Sequence, residues 1–228
     1  MDLDLEDRLI YGNYPEIFSY KSYAEKYEYL QTLTDSYLYK DLLEFGGLKN
    51  SSKIRDLLKL LAFQIGSLVS LSELARSLEM SKETISKYID YLEKSFVLLK
   101  LSGFSRNLRK EITKMNKIYF LDLGVRNALI DNLKQLKDRN DSGQIWENFL
   151  ITERIKYLEY NSKNCSIYFW RTHTGAELDY IEEREGKLWG YEIKYSHKTA
   201  KMPPLWQNTY SNAVFSHINL ANWQHFVS

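Results

Sequence analysis

Apolar residues recur at three- and four-residue steps along much of the chain, and those steps predict helices. Over residues 21–45, Tyr23, Tyr27, Leu30, Leu33, Tyr37 and Leu38 share one face, and Gly46-Gly47 ends the run. Ser51-Ser52 can cap a second helix with the stripe Ile54, Leu57, Leu58 and Leu61, closed by Gly66. Ser70 caps a short third, 71–78, with Glu73 at the capping-box position, and Glu79-Met80 turns the chain. Ser81 caps a fourth through Lys94, with Ile85, Tyr88, Ile89 and Leu92 facing inward. After Gly143, a long amphipathic helix over 144–160 offers Ile145, Phe149, Ile151, Ile155 and Leu158 to a core.

Strand patterns lie between and after these helices. Residues 96–100, Phe104 and 117–121 are rich in β-branched and aromatic side chains. Three more strands, 166–171, 176–183 and 187–195, follow the long helix. The last two are joined by a tight turn at Glu185-Gly186 and so form a hairpin. Pro203-Pro204 breaks the chain before a final strand at 215–220. The order predicts a mixed α+β, α/β fold.

Composition narrows the class. With 228 residues, 44% hydrophobic and 27% charged, the chain can bury one large core or two small ones. The single cysteine, Cys165, excludes a disulfide framework and suits a reducing cytosol, so a cytoplasmic location is expected. No apolar run approaches the roughly 20 residues of a membrane span, and Met1 to Leu5 alternates acid and apolar residues, unlike a signal peptide. Charge is uneven. Residues 1–50 carry five basic and ten acidic side chains, residues 51–120 carry thirteen and seven, and the remainder is balanced. The pieces 1–50, 51–121 and 122–228 are expected to be three domains.

The middle piece has the order of a winged helix-turn-helix. Ala75 is small where two helices must approach, and a three-residue link precedes Ser81. On the second helix, Lys82, Glu83, Ser86 and Lys87 would be exposed and able to reach base edges and phosphates of double-stranded DNA. Beyond the wing, Arg106, Arg109, Lys110, Lys114 and Lys117, opposed only by Glu111, could track a phosphate backbone. The rival reading is a spacer or protein-docking module with solvated charges.

The last piece carries the candidate chemistry. Alternation puts Glu177 and Asp179 on one strand face, and Glu192 and Lys194 on one face of the next. The hairpin sets these faces side by side, and Glu147 on the long helix can close the group. Carboxylates of this kind hold Mg²⁺ or Mn²⁺ through hard oxygens, while a lysine offsets developing negative charge. At Glu147, Asp179, Glu192 and Lys194 the sequence resembles the PD-(D/E)xK nuclease-like superfamily, which places an acid on its first helix and then an Asp and a Glu-x-Lys on consecutive strands. Leu178 stands where the superfamily's Pro would. The resemblance implies catalytic roles for those four residues and metal ligation by Asp179, Glu192 and Glu147.

Nearly the whole chain, in order, is similar to the C-terminal portion of a prokaryotic AAA+ ATPase family whose C-terminal domain has no firmly assigned function. The matching blocks begin with Glu6-Asp-Arg-Leu-Ile-Tyr-Gly-Asn-Tyr-Pro-Glu-Ile17, Tyr37 to Leu42 and the helix-turn-helix. They continue with Lys117 to Gly124, Gly143 to Phe149, Phe169 to Asp179 and Tyr191 to Lys194. The resemblance implies a helical lid remnant over 1–50, where Gly12-x-x-Pro15 is similar to the lid segment, then the winged helix and the nuclease-like domain. It also implies an N-terminal ATPase core as partner in the full-length protein. No phosphate-binding Gly-x-x-x-x-Gly-Lys-[Ser/Thr] loop occurs here, so this chain alone is not expected to hydrolyse ATP.

Other chemistry finds little support. His173, His197, His217 and His225 lack metal-ligand spacing, although His173 falls near the acid group, and no Gly-x-Ser-x-Gly occurs. Two expectations therefore stand side by side. One is a DNA-binding, metal-dependent nuclease-like module. The other is the same fold without catalysis, used to hold a partner protein or to oligomerise.

Overall fold

A computed structural model describes residues 3–38, 51–106 and 115–228. The described residues form a mixed α/β protein with several helices and two small sheets. It divides into two compact units, Met1–Leu99 with Ile118–Asp141, and Lys100–Lys117 with Ser142–Ser228. Residues 1–50, most of 51–121, and 118–141 thus fall in one unit. Among the described residues no helix is long and apolar enough to cross a membrane.

The first unit opens with α1 (Leu3–Tyr11), a 3₁₀ turn (Pro15–Ser19) and α2 (Tyr23–Thr32), which continues as a π-helical turn, Leu33–Leu38. The rest of the expected 21–45 helix, with Gly46-Gly47, lies outside the described residues. Then come α3 (Ser51–Phe63), β1 (Leu68–Val69), α4 (Leu71–Leu78) and α5 (Lys82–Lys94). Ser70 and Ser81 cap the last two helices, accepting from the N–H groups of Glu73 and Thr84. Each cap satisfies one of the four orphan donors at a helix start. The left-handed Glu79 (φ 52°) makes the turn between them. The four inward residues expected on α5 are all buried, in a core shared with Ile54, Leu57, Leu58 and Leu61 of α3.

Strands β2 (Leu98–Ser102) and β3 (Asn116–Phe120) join β1 in a sheet of order β1-β3-β2. Helix α6 (Leu123–Leu129) follows, and all seven of its residues are buried. Hydrophobic periodicity does not reveal it, because a helix covered on every side has no polar face to alternate with. Its cap, Asp122, explains two of the sequence blocks at once. Asp122 Oδ1 accepts from Val125 N–H at 3.0 Å, and Oδ2 from Asn13 N–H at 2.7 Å. A Cβ on Gly12 (φ +81°) would fall 2.2 Å from Asp122 Oδ1, and one on Gly124 would fall 2.0 Å from the Tyr11 carbonyl. The Gly-Asn of the first block and the Asp-Leu-Gly of the later one are two halves of one contact.

The second unit contains α7 (Ser142–Tyr160), β4 (Ser166–Arg171), β5 (Glu177–Arg184), β6 (Lys187–Ile193), α8 (Pro204–Thr209), β7 (Val214–Ile218) and α9 (Trp223–Val227). The sheet order is β4-β5-β6-β7, antiparallel except for the parallel β6–β7 pair. The Glu185-Gly186 turn has φ > 0 at both residues, as a two-residue hairpin of the I′ type requires. Pro203-Pro204 does not simply break the chain. Pro204 opens α8, where its missing N–H costs nothing. Trp206 of α8 lands on the sheet with Trp170, Leu178, Ile181 and Leu188.

Candidate functional site

The hairpin register sets the site. Tyr180 pairs with Tyr191, so Asp179 and Glu192 stand one step further along facing strands. Asp179 Oδ2 accepts a hydrogen bond from Ile193 N–H at 2.8 Å, which ties its carboxylate to the neighbouring strand. Lys194 Nζ lies 2.6 Å from Glu192 Oε1. Glu147, from α7, reaches the same region from the helix side. The residues proposed on sequence for one site therefore do meet within the second unit.

A cation that sequence reasoning placed elsewhere stands among them. Lys117 was expected to track phosphates with its basic neighbours. Instead its side chain is 2% exposed, and Nζ lies 2.6 Å from Glu177 Oε1, 3.2 Å from Glu147 Oε1 and 3.7 Å from Asp179 Oδ1. Its ammonium also sits 5.7 Å from the centre of the Phe169 ring. Arg171 holds the other oxygen of Glu177 at 3.2 Å. Lys117 shares a strand face with Tyr119, which is fully buried, but Ile118 and Phe120 on the other face are buried too, so strand alternation alone does not mark the lysine as a counter-ion.

Burial and mutual charge govern these groups. Burial would lower the Lys117 pKa, but the surrounding Glu147, Asp179 and Glu177 outweigh it and hold the ammonium firmly charged. Burial raises the Asp179 carboxyl, and Lys117 offsets only part of that rise. Burial and then the charge of Asp179 raise Glu192. Lys194 would be lowered by burial but is raised on balance, first by its hydrogen bond to Glu192.

A divalent cation of the Mg²⁺ type asks for about six oxygens in near-octahedral order. Here the oxygens of Glu147, Glu177 and Asp179 that face the centre are turned to Lys117, and the second Asp179 oxygen is taken by Ile193 N–H. Glu192 Oε2 is buried without a hydrogen-bond partner. Among the described residues no three His, Cys, Asp or Glu side chains form an arrangement able to hold a metal. With Lys117 in place, the group does not fit such an ion.

The remaining expected residues scatter. In the first unit, Lys82 and Lys87 are exposed on α5 and Ser86 is half-buried beside them. Lys87 Nζ lies 5.7 Å from the centre of the Tyr91 ring. Arg106 belongs to the second unit, exposed and paired with Glu183 at 3.1 Å. Arg109, Lys110 and Lys114 lie outside the described residues. His173 is exposed in the β4–β5 turn. Sequence reasoning did not single out a second buried pair, Arg154 with Glu182, described below.

Comparison with known proteins follows the same division. The chain belongs to the family described as Domain of unknown function (DUF8612), whose model matches residues 2–136. A second model, Domain of unknown function (DUF4143), matches residues 142–204, starting at the residue where the main part of the second unit begins. The chain is 31% identical over 191 residues to the uncharacterized protein Rv2008c of Mycobacterium tuberculosis, covering 82% of this chain and 42% of that protein. It is 28% identical over 179 residues to the uncharacterized protein MJ1637 of Methanocaldococcus jannaschii, covering 78% and 37%. An uncharacterized protein of Haemophilus influenzae is 24% identical over 230 residues, covering 95% and 52%. The chain thus spans about half or less of these relatives' length. No solved structure matches it.

Proposed function

We propose that this chain is the C-terminal module of a prokaryotic AAA+ ATPase: a helical lid remnant, a winged helix that contacts duplex DNA, and a PD-(D/E)xK nuclease-like domain that docks a partner protein rather than cutting nucleic acid. The observation that carries the non-catalytic reading is Lys117, a buried ammonium already paired with Glu147, Glu177 and Asp179. The ordered sequence blocks support the ATPase association, and the greater length of the relatives leaves room for a core. The exposed Lys82 and Lys87 on α5 support the DNA contact. A cytoplasmic location accords with the lone, reduced cysteine.

A second reading, cleavage dependent on Mg²⁺ or Mn²⁺ held by Asp179, Glu192 and Glu147, is favoured by the unpartnered Glu192 Oε2. It requires Lys117 to give up its contacts. The test pairs binding with cleavage. Duplex DNA followed by fluorescence anisotropy should bind at low salt and weaken steeply as salt rises, and Lys82→Glu with Lys87→Glu should lower that affinity at least tenfold. Supercoiled plasmid in Mg²⁺ or Mn²⁺ should stay intact. Cutting by the wild type that Asp179→Asn abolishes would replace the docking reading with the catalytic one, and salt-insensitive or absent binding would remove the DNA contact.

A further inference from the structure

Three carboxylates on two elements, Glu147 from α7 and Glu177 and Asp179 from β5, crowd one buried place. Like charges brought together out of water repel strongly unless a cation stands between them. That cation must come from solution or from the chain. Here the chain supplies it. Lys117 Nζ is within 4 Å of all three acids, and its side chain is 2% exposed. Its ammonium has three donors and no acceptor; it is within hydrogen-bond reach of Glu177 and Glu147 and acts on Asp179, at 3.7 Å, through its charge. The strand carrying it places Tyr119 on the same buried face, which limits how far the lysine can withdraw. Arg171 adds a second positive charge at 3.2 Å from the other oxygen of Glu177.

We infer that Lys117 is the resident cation of this acid group, a positioning residue that holds Glu147, Glu177 and Asp179 together and makes the second unit independent of a bound metal. The inference deepens the docking reading above and rests on it: the unit keeps the residues of a metal site while needing no metal to fold or to present its surface.

The test uses the full chain, with thermal unfolding followed by tryptophan fluorescence. Millimolar Mn²⁺ should leave the wild-type Tm unchanged. Lys117→Met leaves buried carboxylates without their partner and should lower Tm by roughly 10 °C. Adding Glu177→Gln to Lys117→Met removes one of the repelling charges and should restore several degrees, a rescue that loss of packing alone would not give. Should Lys117→Met not fold, the double variant and the wild-type Mn²⁺ titration still decide. A wild-type Tm raised several degrees by Mn²⁺, a Lys117→Met variant as stable as the wild type, or a double variant no better than the single would each overturn the inference. Without plasmid cleavage these results leave the docking reading standing, whereas cleavage by the wild type that Asp179→Asn abolishes overturns that reading directly.

Discussion

Arg154 and Glu182 form the most enclosed ion pair of the second unit among the described residues, with Glu182 fully buried and the Arg154 side chain 8% exposed. The guanidinium meets the carboxylate with two N–H groups, at 2.6 and 3.1 Å, and donates a third hydrogen bond to the Phe226 carbonyl at 2.7 Å. It also stands 5.0 Å from the Phe226 ring centre and 5.1 Å from that of Tyr157. Arg154→Met fills similar space but strands a buried carboxylate, a change that costs about 3–5 kcal/mol. Arg184, 3.5 Å from the far oxygen of Glu182, offers partial compensation, so the lower end, about 3 kcal/mol, is expected. Replacing both residues by Met removes the stranded charge as well, and the double variant should be more stable than Arg154→Met by about 1 kcal/mol or more. The readout can be confined to this unit. All five tryptophans, Trp146, Trp170, Trp189, Trp206 and Trp223, lie in its sequence, so urea unfolding by tryptophan fluorescence reports on it alone. At a slope of about 1–3 kcal/mol per molar urea, the Arg154→Met midpoint should fall by at least about 1 M. A loss below about 1 kcal/mol, or a double variant whose cost equals the sum of the singles, would refute the claim that the pair acts as a unit.

Two further predictions concern the first unit, which holds no tryptophan and is followed by far-ultraviolet circular dichroism. Burial would raise the Asp141 carboxyl, but hydrogen bonds and charge from Arg139 and Arg126 outweigh it and hold its pKa at about 2, below the ordinary 3.8. A carboxylate depressed on folding contributes stability above its unfolded pKa and loses it as pH falls from about 4 toward about 2. Burial lowers the Arg126 guanidinium itself, so the acid limb follows the carboxylate. Asp141→Asn should therefore be less stable than the wild type at pH 7 and approach it near pH 2, and a constant gap between the two would refute the assignment. Gly124→Ala would press a methyl against the Tyr11 carbonyl, an approach of 2.0 Å that backbone cannot relieve cheaply. It should destabilise the first unit by about 2 kcal/mol or more, and a change under about 0.5 kcal/mol would show that the loop moves aside freely.

The elements legible in the sequence are those whose determinants are local. Helices α4 and α5 carry their own start signals, Ser70 and Ser81, and one buried face each. The β5–β6 hairpin carries its turn, Glu185-Gly186, and its alternation. Elements fixed by distant partners were not legible. Helix α6 has no exposed face to give it a period, and its cap Asp122 does half of its work on Asn13, more than a hundred residues earlier. In sequence, the first turn of α8 is indistinguishable from a break, because a proline at a helix start and a proline in a loop read alike without the contact of Trp206 with the sheet.

The same limit explains why the site was half read. Strand alternation is local, so Asp179, Glu192 and Lys194 could be placed on neighbouring faces before any tertiary contact was known. Whether a lysine is a surface charge or a buried counter-ion depends on what approaches it from elsewhere in the chain. Lys117 finds Glu147 thirty residues on and Glu177 sixty residues on. Counted along the chain it adds to a basic middle segment and argues for phosphate binding. In space it is spent on three acids and is not available to DNA. The basic surface open to a nucleic acid is therefore smaller than the charge count suggests, and the acid group is closer to neutral than its four carboxylates suggest. Both corrections have the same sign for function. They weaken a cleaving site and make the exposed Lys82 and Lys87 of α5, among the described residues, the charges on which the proposed DNA contact is best tested.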